Sequence, residues 1–69
     1  MQIVYSEHAK KRMNQRGISP LEIEQVLSQP SYVKKSFEGR KEAVGIVKGR
    51  ELKIKFIETE SHIKVITII

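Results

Sequence analysis

Apolar residues recur along this chain with two periods, and the change between them falls at Pro30. Before it, Ala9 and Met13, then Ile23, Val26 and Leu27, are spaced by three or four residues, as on one face of a helix. After it, Leu52, Ile54 and Phe56 alternate with Lys53, Lys55 and Ile57, the twofold spacing of a strand with one packed face and one face of lysines. Ile63, Val65, Thr67 and Ile69 alternate in turn with His62, Lys64, Ile66 and Ile68. Both faces of that last strand are partly apolar, which fits a central strand or one covered by a partner.

Local signals set the element boundaries. Residues 2–5 read as a short strand that leads to Ser6, an N-cap residue. A helix follows over residues 6–16, with Glu7 at its positive end and Gly17 as its stop. Ser19, Pro20 and Glu22 form a capping box with proline at the first helical position, and Ile18 and Ile23 are spaced for a hydrophobic staple. The second helix therefore starts at Pro20 and cannot run past Pro30. Strands are expected over residues 32–37, 40–48, 51–58 and 62–69, joined by turns at Glu38-Gly39, Gly49-Arg50 and residues 59–61. The order β-α-α-β-β-β-β with short turns predicts an α+β domain with a helical hairpin packed on one face of an antiparallel sheet.

The 69 residues make a single domain, residues 1–69, small enough to bury only roughly 60% of its unfolded surface. The chain has no cysteine, which removes disulfides and thiolate metal sites. No apolar run approaches a membrane span of roughly 20 residues, and the N-terminus lacks a signal-peptide pattern, so the expectation is a cytoplasmic protein with no membrane partner. Thirteen Lys and Arg against eight Asp and Glu give a net charge of +5. The excess is patchy: residues 1–16 and residues 32–41 each hold four bases and one acid, whereas Glu22 and Glu24 make the segment between them acidic. Such patches attract phosphate backbones.

On a helix over residues 6–16, with His8 at zero, Arg12 falls at about 40°, Arg16 at about 80°, Ala9 at about 100° and Met13 at about 140°. His8, Arg12 and Arg16 are thus expected to share an arc with the apolar edge, at the margin of a core or cleft. Lys10, Lys11 and Asn14 point elsewhere. Metal-independent RNA cleavage, the activity that the family resemblance given below implies, needs a proton acceptor for the 2′-hydroxyl, a proton donor for the leaving oxygen and cations for the phosphorane. His8 could serve as base or acid, Arg12 and Arg16 suit bidentate phosphate contacts, and Arg40 beside the Glu38-Gly39 turn is the fourth catalytic candidate. Tyr5 for stacking, and Lys11, Lys53 and Lys55 as a basic strip, are the candidate RNA contacts. For each residue the alternative is structural or solvated: a carbonyl bond for His8, ties to Glu22 or Glu24 for the arginines, solvent for Arg40 and the lysines. Two histidines far apart in sequence, without a carboxylate cluster, give no zinc site, and the four separate glycines make no phosphate loop, so no cofactor or metal is expected.

Tyr5-Ser6-Glu7-His8-Ala9, Arg12-Met13, Arg16-Gly17-Ile18-Ser19, Val26-Leu27, Pro30 and Gly39-Arg40 together resemble the small bacterial family labelled domain of unknown function 4258, across most of the chain. That family is related in turn to the RelE-like and BrnT-like toxins. The resemblance implies their fold, two helices against an antiparallel sheet, and their activity, endoribonuclease cleavage by a lysine- and arginine-rich surface. It also implies RNA as partner, on the ribosome in some cases, and an antitoxin protein. The alternative reading is a non-catalytic module that holds RNA or an acidic protein, with an exposed sheet edge available for such a protein or for a homodimer.

Overall fold

The alternating half of the chain forms one five-stranded sheet and the helical half covers one of its faces. The computed structural model describes residues 2–69. The elements are β1 (Gln2–Tyr5), α1 (Glu7–Arg16), α2 (Pro20–Ser28), β2 (Tyr32–Lys35), a 3-10 turn (Phe37–Gly39), β3 (Lys41–Val47), β4 (Arg50–Glu58) and β5 (His62–Ile68). The strand order is β1-β5-β4-β3-β2. The last four strands form the expected antiparallel meander, and β1 adds to β5 in parallel, which makes the sheet mixed. This places β5 between β1 and β4, so its two partly apolar faces are those of an inner strand.

The caps fold as their residues dictate. Ser19 Oγ accepts from Glu22 N–H at 3.3 Å, and Ser19 N–H donates to Glu22 Oε1 at 2.9 Å. That backbone donor is the main reason the Glu22 carboxyl is held below its ordinary range; Lys48 and Arg50 add to the effect. At the end of α1, Gly17 takes the left-handed conformation (φ 65°), while Ile18 N–H donates to Met13 O at 2.9 Å and Gly17 N–H to Asn14 O at 3.4 Å. This is a Schellman ending, with Met13 and Ile18 both buried. The chain therefore reverses within three residues into α2.

Strand ends differ from expectation where backbone conformation overrides alternation. β2 stops at Lys35 because Glu38 (φ 61°) and Gly39 (φ 73°) both turn left-handed, and β3 begins at Lys41. The next turn is Lys48-Gly49, both with positive φ (53° and 75°), so Arg50 already belongs to β4. A paired positive φ at a two-residue turn matches the twist of a hairpin. In β5, Lys55 lies opposite Thr67 but Phe56 lies opposite Val65, leaving Ile66 without a partner on β4. This bulge reverses the alternation, so Ile68, 1% exposed, enters the core together with Val65, three residues before it.

Ala9, Met13, Ile18, Ile23 and Val26 from the helices meet Ala43, Val47, Leu52, Ile54, Phe56, Val65 and Ile68 from the sheet. Ile3, Tyr5, Leu27 and Ile63 pack at the margin. The layers approach closely at Gly45, where a Cβ would lie 3.1 Å from Val26 Cγ1. The opposite face of the sheet carries no helix. By register it presents Tyr32, Lys34, Glu42, Val44, Lys53, Lys55, Ile57 and Lys64.

Two stability predictions follow from these contacts. Ser6 Oγ donates to Ile66 O at 2.6 Å, the carbonyl at the bulge, and accepts from Ala9 N–H at 3.0 Å. Ser6→Ala removes a cap and strands a carbonyl, and should lower the urea unfolding free energy by about 2 kcal/mol. Gly45→Ala should cost about 1 kcal/mol, because Val26 is β-branched in a helix and cannot rotate away. Combined with Val26→Ala the second cost should vanish; an additive double mutant would show that Val26 is not the obstacle.

Candidate nucleic-acid interface

α1 lies over β5 and gives the sheet a narrow strip, Ala9 and Met13. The face turned away carries His8, Lys11, Arg12 and Gln15, at positions i, i+3, i+4 and i+7, which line an open groove of ≈ 300 Å³. His8, Lys11 and Gln15 are exposed, and Arg12 is half-buried beside the core strip. No acid shares this face: Glu7 reaches Lys10, 3.7 Å away on the flank. The ion pairs among the described residues engage Lys10, Lys34 and Lys41, so the cations of the groove are uncompensated. Two fixed positive charges, an imidazole and a carboxamide in one row can hold the oxygens of successive phosphates.

The expected arc of His8, Arg12 and Arg16 against the apolar edge does not form as such. His8 and Arg16 are exposed, and only Arg12 approaches the core margin. Arg16 lies beyond the last buried residue of α1, where the Schellman turn redirects the chain, and its carbonyl accepts from Arg50 Nη1 at 3.1 Å. It forms no ion pair with Glu22 or Glu24 among the described residues. Lys11, expected to point away from His8, lines the same groove. Gln15 was not among the sequence candidates, although its seven-residue spacing from His8 was the available signal.

The remaining candidates lie elsewhere. Arg40 follows the 3-10 turn with extended backbone (φ −80°, ψ 152°), its N–H bonded to Phe37 O. Its alternation continues that of Glu42, on the helix-free face, and its Nε is buried without a hydrogen-bond partner. Lys53 and Lys55, half-buried, lie on that same face opposite Val44 and Glu42. Lys64, opposite Ile57, joins them there; its alternation with Val65 was the signal. The sheet thus separates His8, Lys11 and Arg12 from Arg40, Lys53 and Lys55. Tyr5 is on the helix side with Ile3, its ring packed against the core, so stacking on a base is not open to the whole ring. His62 is half-buried at the start of β5, its Nδ1 3.1 Å from Thr59 Oγ1 and 3.2 Å from Ser61 Oγ. Among the described residues no group of three His, Asp or Glu side chains could hold a metal ion. Among the described residues no helix is long and apolar enough to cross a membrane.

Fold and surface together define a two-layer α+β protein with a cationic helical groove on one side and a lysine-bearing open sheet on the other. The chain belongs to the family Domain of unknown function (DUF4258), whose model matches residues 5–69. No curated protein and no solved structure gives a match.

Burial and the nearby Glu24 carboxylate raise the Tyr5 hydroxyl above its ordinary value of 10.0. The folded state therefore holds this proton more tightly than the unfolded chain. Stability from this group should be complete below pH 10 and fall as pH rises through the folded value. Absorbance titration of the parent against Tyr5→Phe should place the missing phenolate step above pH 10; a step at or below 10 would refute the buried placement.

Proposed function

We propose that this protein binds RNA along the exposed face of α1 and cleaves it without a metal ion, His8 transferring protons and Lys11 and Arg12 neutralising the phosphate. The observation that carries this reading is the groove itself, with one titratable imidazole and two uncompensated cations on a single helical row. The resemblance to RelE-like and BrnT-like ribonuclease toxins supports the same chemistry. In the reaction His8 takes the 2′-hydroxyl proton, the 2′ oxygen attacks the adjacent phosphorus, and the P–O5′ bond breaks. The 5′ oxygen takes its proton from solvent, leaving a 2′,3′-cyclic phosphate and a 5′-hydroxyl. Arg12, held at the core margin, is the more rigid cation and receives the developing phosphorane charge.

A second reading is favoured by one observation: the sheet lies between His8 and Arg40, so the groove gathers a single proton-transfer group. On that reading α1 is a non-catalytic phosphate clamp.

Purified protein incubated with end-labelled RNA and EDTA, with and without ribosomes, separates the two. Cleavage should leave 5′-hydroxyl ends and fall about 100-fold in His8→Ala. Lys11→Ala and Arg12→Ala should each reduce the slope of log affinity against log salt by about 1. Salt-dependent binding without cleavage decides for the clamp. Binding that is indifferent to salt and to all three substitutions overturns both readings.

A further inference from the structure

β2 is the outermost strand of the sheet, and all four of its residues, Tyr32, Val33, Lys34 and Lys35, are exposed. Just beyond it, Ser36 N–H donates to Arg40 O at 2.8 Å, a ladder bond to the neighbouring chain. In an antiparallel ladder the bonded residues alternate. Lys34, opposite Glu42, and Tyr32, opposite Val44, therefore bond to β3, while the N–H and C=O groups of Val33 and Lys35 point outward from the sheet. The side chains along this edge are of two kinds. Tyr32 is 50% exposed, Val33 47% and Phe37, at the tip of the adjoining turn, 87%. Lys34 and Lys35 are the charges. Lys34 lies 3.5 Å from Glu42, whereas Lys35 has no ion pair among the described residues and lies directly opposite another lysine, Lys41. Lys41 is itself paired with Glu58 at 3.3 Å, which leaves Lys35 as the unpaired charge of this edge, and an acid added beside it supplies the missing partner.

We infer that the β2 edge is a strand-addition site for an extended segment of a partner protein, antiparallel to β2, that carries two acidic residues followed by two apolar ones. The order follows from register. In an antiparallel segment the first acid lies opposite Lys35 and the second opposite Lys34, and the apolar pair lies opposite Val33 and Tyr32. Backbone bonds form at Val33 and Lys35, whose outward groups are free to accept them. Phe37 extends the apolar contact past the lysines. A second copy of this chain does not meet the requirement: antiparallel pairing of β2 with itself about Lys34 sets Lys34 against Lys34 and Val33 against Lys35, offers neither lysine an acid, and joins two chains that each carry a charge of +5. The site is on the far side of the sheet order from β5, over which α1 lies, so it does not depend on RNA binding in the α1 groove.

The test uses the whole chain and short dye-labelled peptides, one with two glutamates followed by two β-branched apolar residues, one with lysines in place of the glutamates. Anisotropy should report binding of the acidic peptide only, and the largest amide shifts on its addition should be at Val33 and Lys35. Val33→Pro removes an outward N–H and no ladder bond, so the protein should still fold and bind at least about tenfold more weakly. Lys35→Glu should weaken the acidic peptide and admit the lysine peptide, and it carries the test if the proline variant fails to fold. Equal binding of both peptides, or amide shifts confined to α1, would overturn the inference. So would a dimer in sedimentation that Val33→Pro dissociates, because the occupant would then be a second copy.

Discussion

The structure depends on how the carbonyl of Ile66 is satisfied. The bulge in β5 leaves Ile66 without a partner on β4, and the Ser6 hydroxyl donates to its carbonyl at 2.6 Å. The same oxygen caps α1 through Ala9 N–H, and Ser6 N–H continues the parallel β1–β5 ladder to Val65 O at 3.0 Å. One residue thus joins the edge strand, the helix start and the irregular point of an inner strand. The bulge in turn decides which apolar residues of β5 face the helices. Without it Thr67 would enter the core and Ile68 would face solvent, and the helical layer would lose a fully covered partner. The height and direction of α1, and with them the outward aim of His8, Lys11 and Arg12, follow from this junction.

The two layers give the protein two cationic surfaces with different mechanical characters. On α1 the cations project from a helix fixed at both ends, by Ser6 and by the Schellman turn at Gly17, so their spacing along the axis is set by the helix itself. On the open sheet face Lys53 and Lys55 are half-buried, their stems flanked by Val44, which is only 1% exposed although it faces away from the helices. By register Val44 lies between Tyr32 and Lys53, and a ring and a lysine stem on either side suit the burial of an apolar residue on this face. Glu42, 7% exposed between Lys34 and Lys55, lowers the positive potential of this face. The α1 groove has no such acid.

The edges of the sheet are unequal. β1 brings Ile3 and Tyr5 to the core margin and is tied through Ser6 to β5, whereas β2 contributes no residue to the core cluster. An exposed edge is a hazard that proteins commonly blunt with lysine. Here the same lysines that deter self-pairing make the edge selective for an acidic strand.

The sequence alone determined the elements whose causes are local. The capping box at Ser19, Pro20 and Glu22, the Ser6 cap, the Gly17 stop, the break at Pro30 and the lysine–apolar alternation of β4 are each decided by residues within a few positions of one another, and each stands where it was read. Family membership was legible for the same reason, because its motifs cluster around α1. Tertiary structure decided what depends on distant partners. Whether β5 is an inner strand and that β1 runs parallel to it are consequences of pairings between residues about 60 positions apart, and where the bulge shifts its facing is decided in the β4–β5 pairing. The same holds for the site. Helical spacing put Ala9 and Met13 at the apolar edge with His8 and Arg12 on neighbouring lines, but only the position of α1 over β5 shows that Lys11 and Gln15 share the outward face with His8 and Arg12. Arg40 shares the chain's charge but not the groove, because a sheet one residue thick has two faces and sequence alternation alone does not say which face the helices will cover.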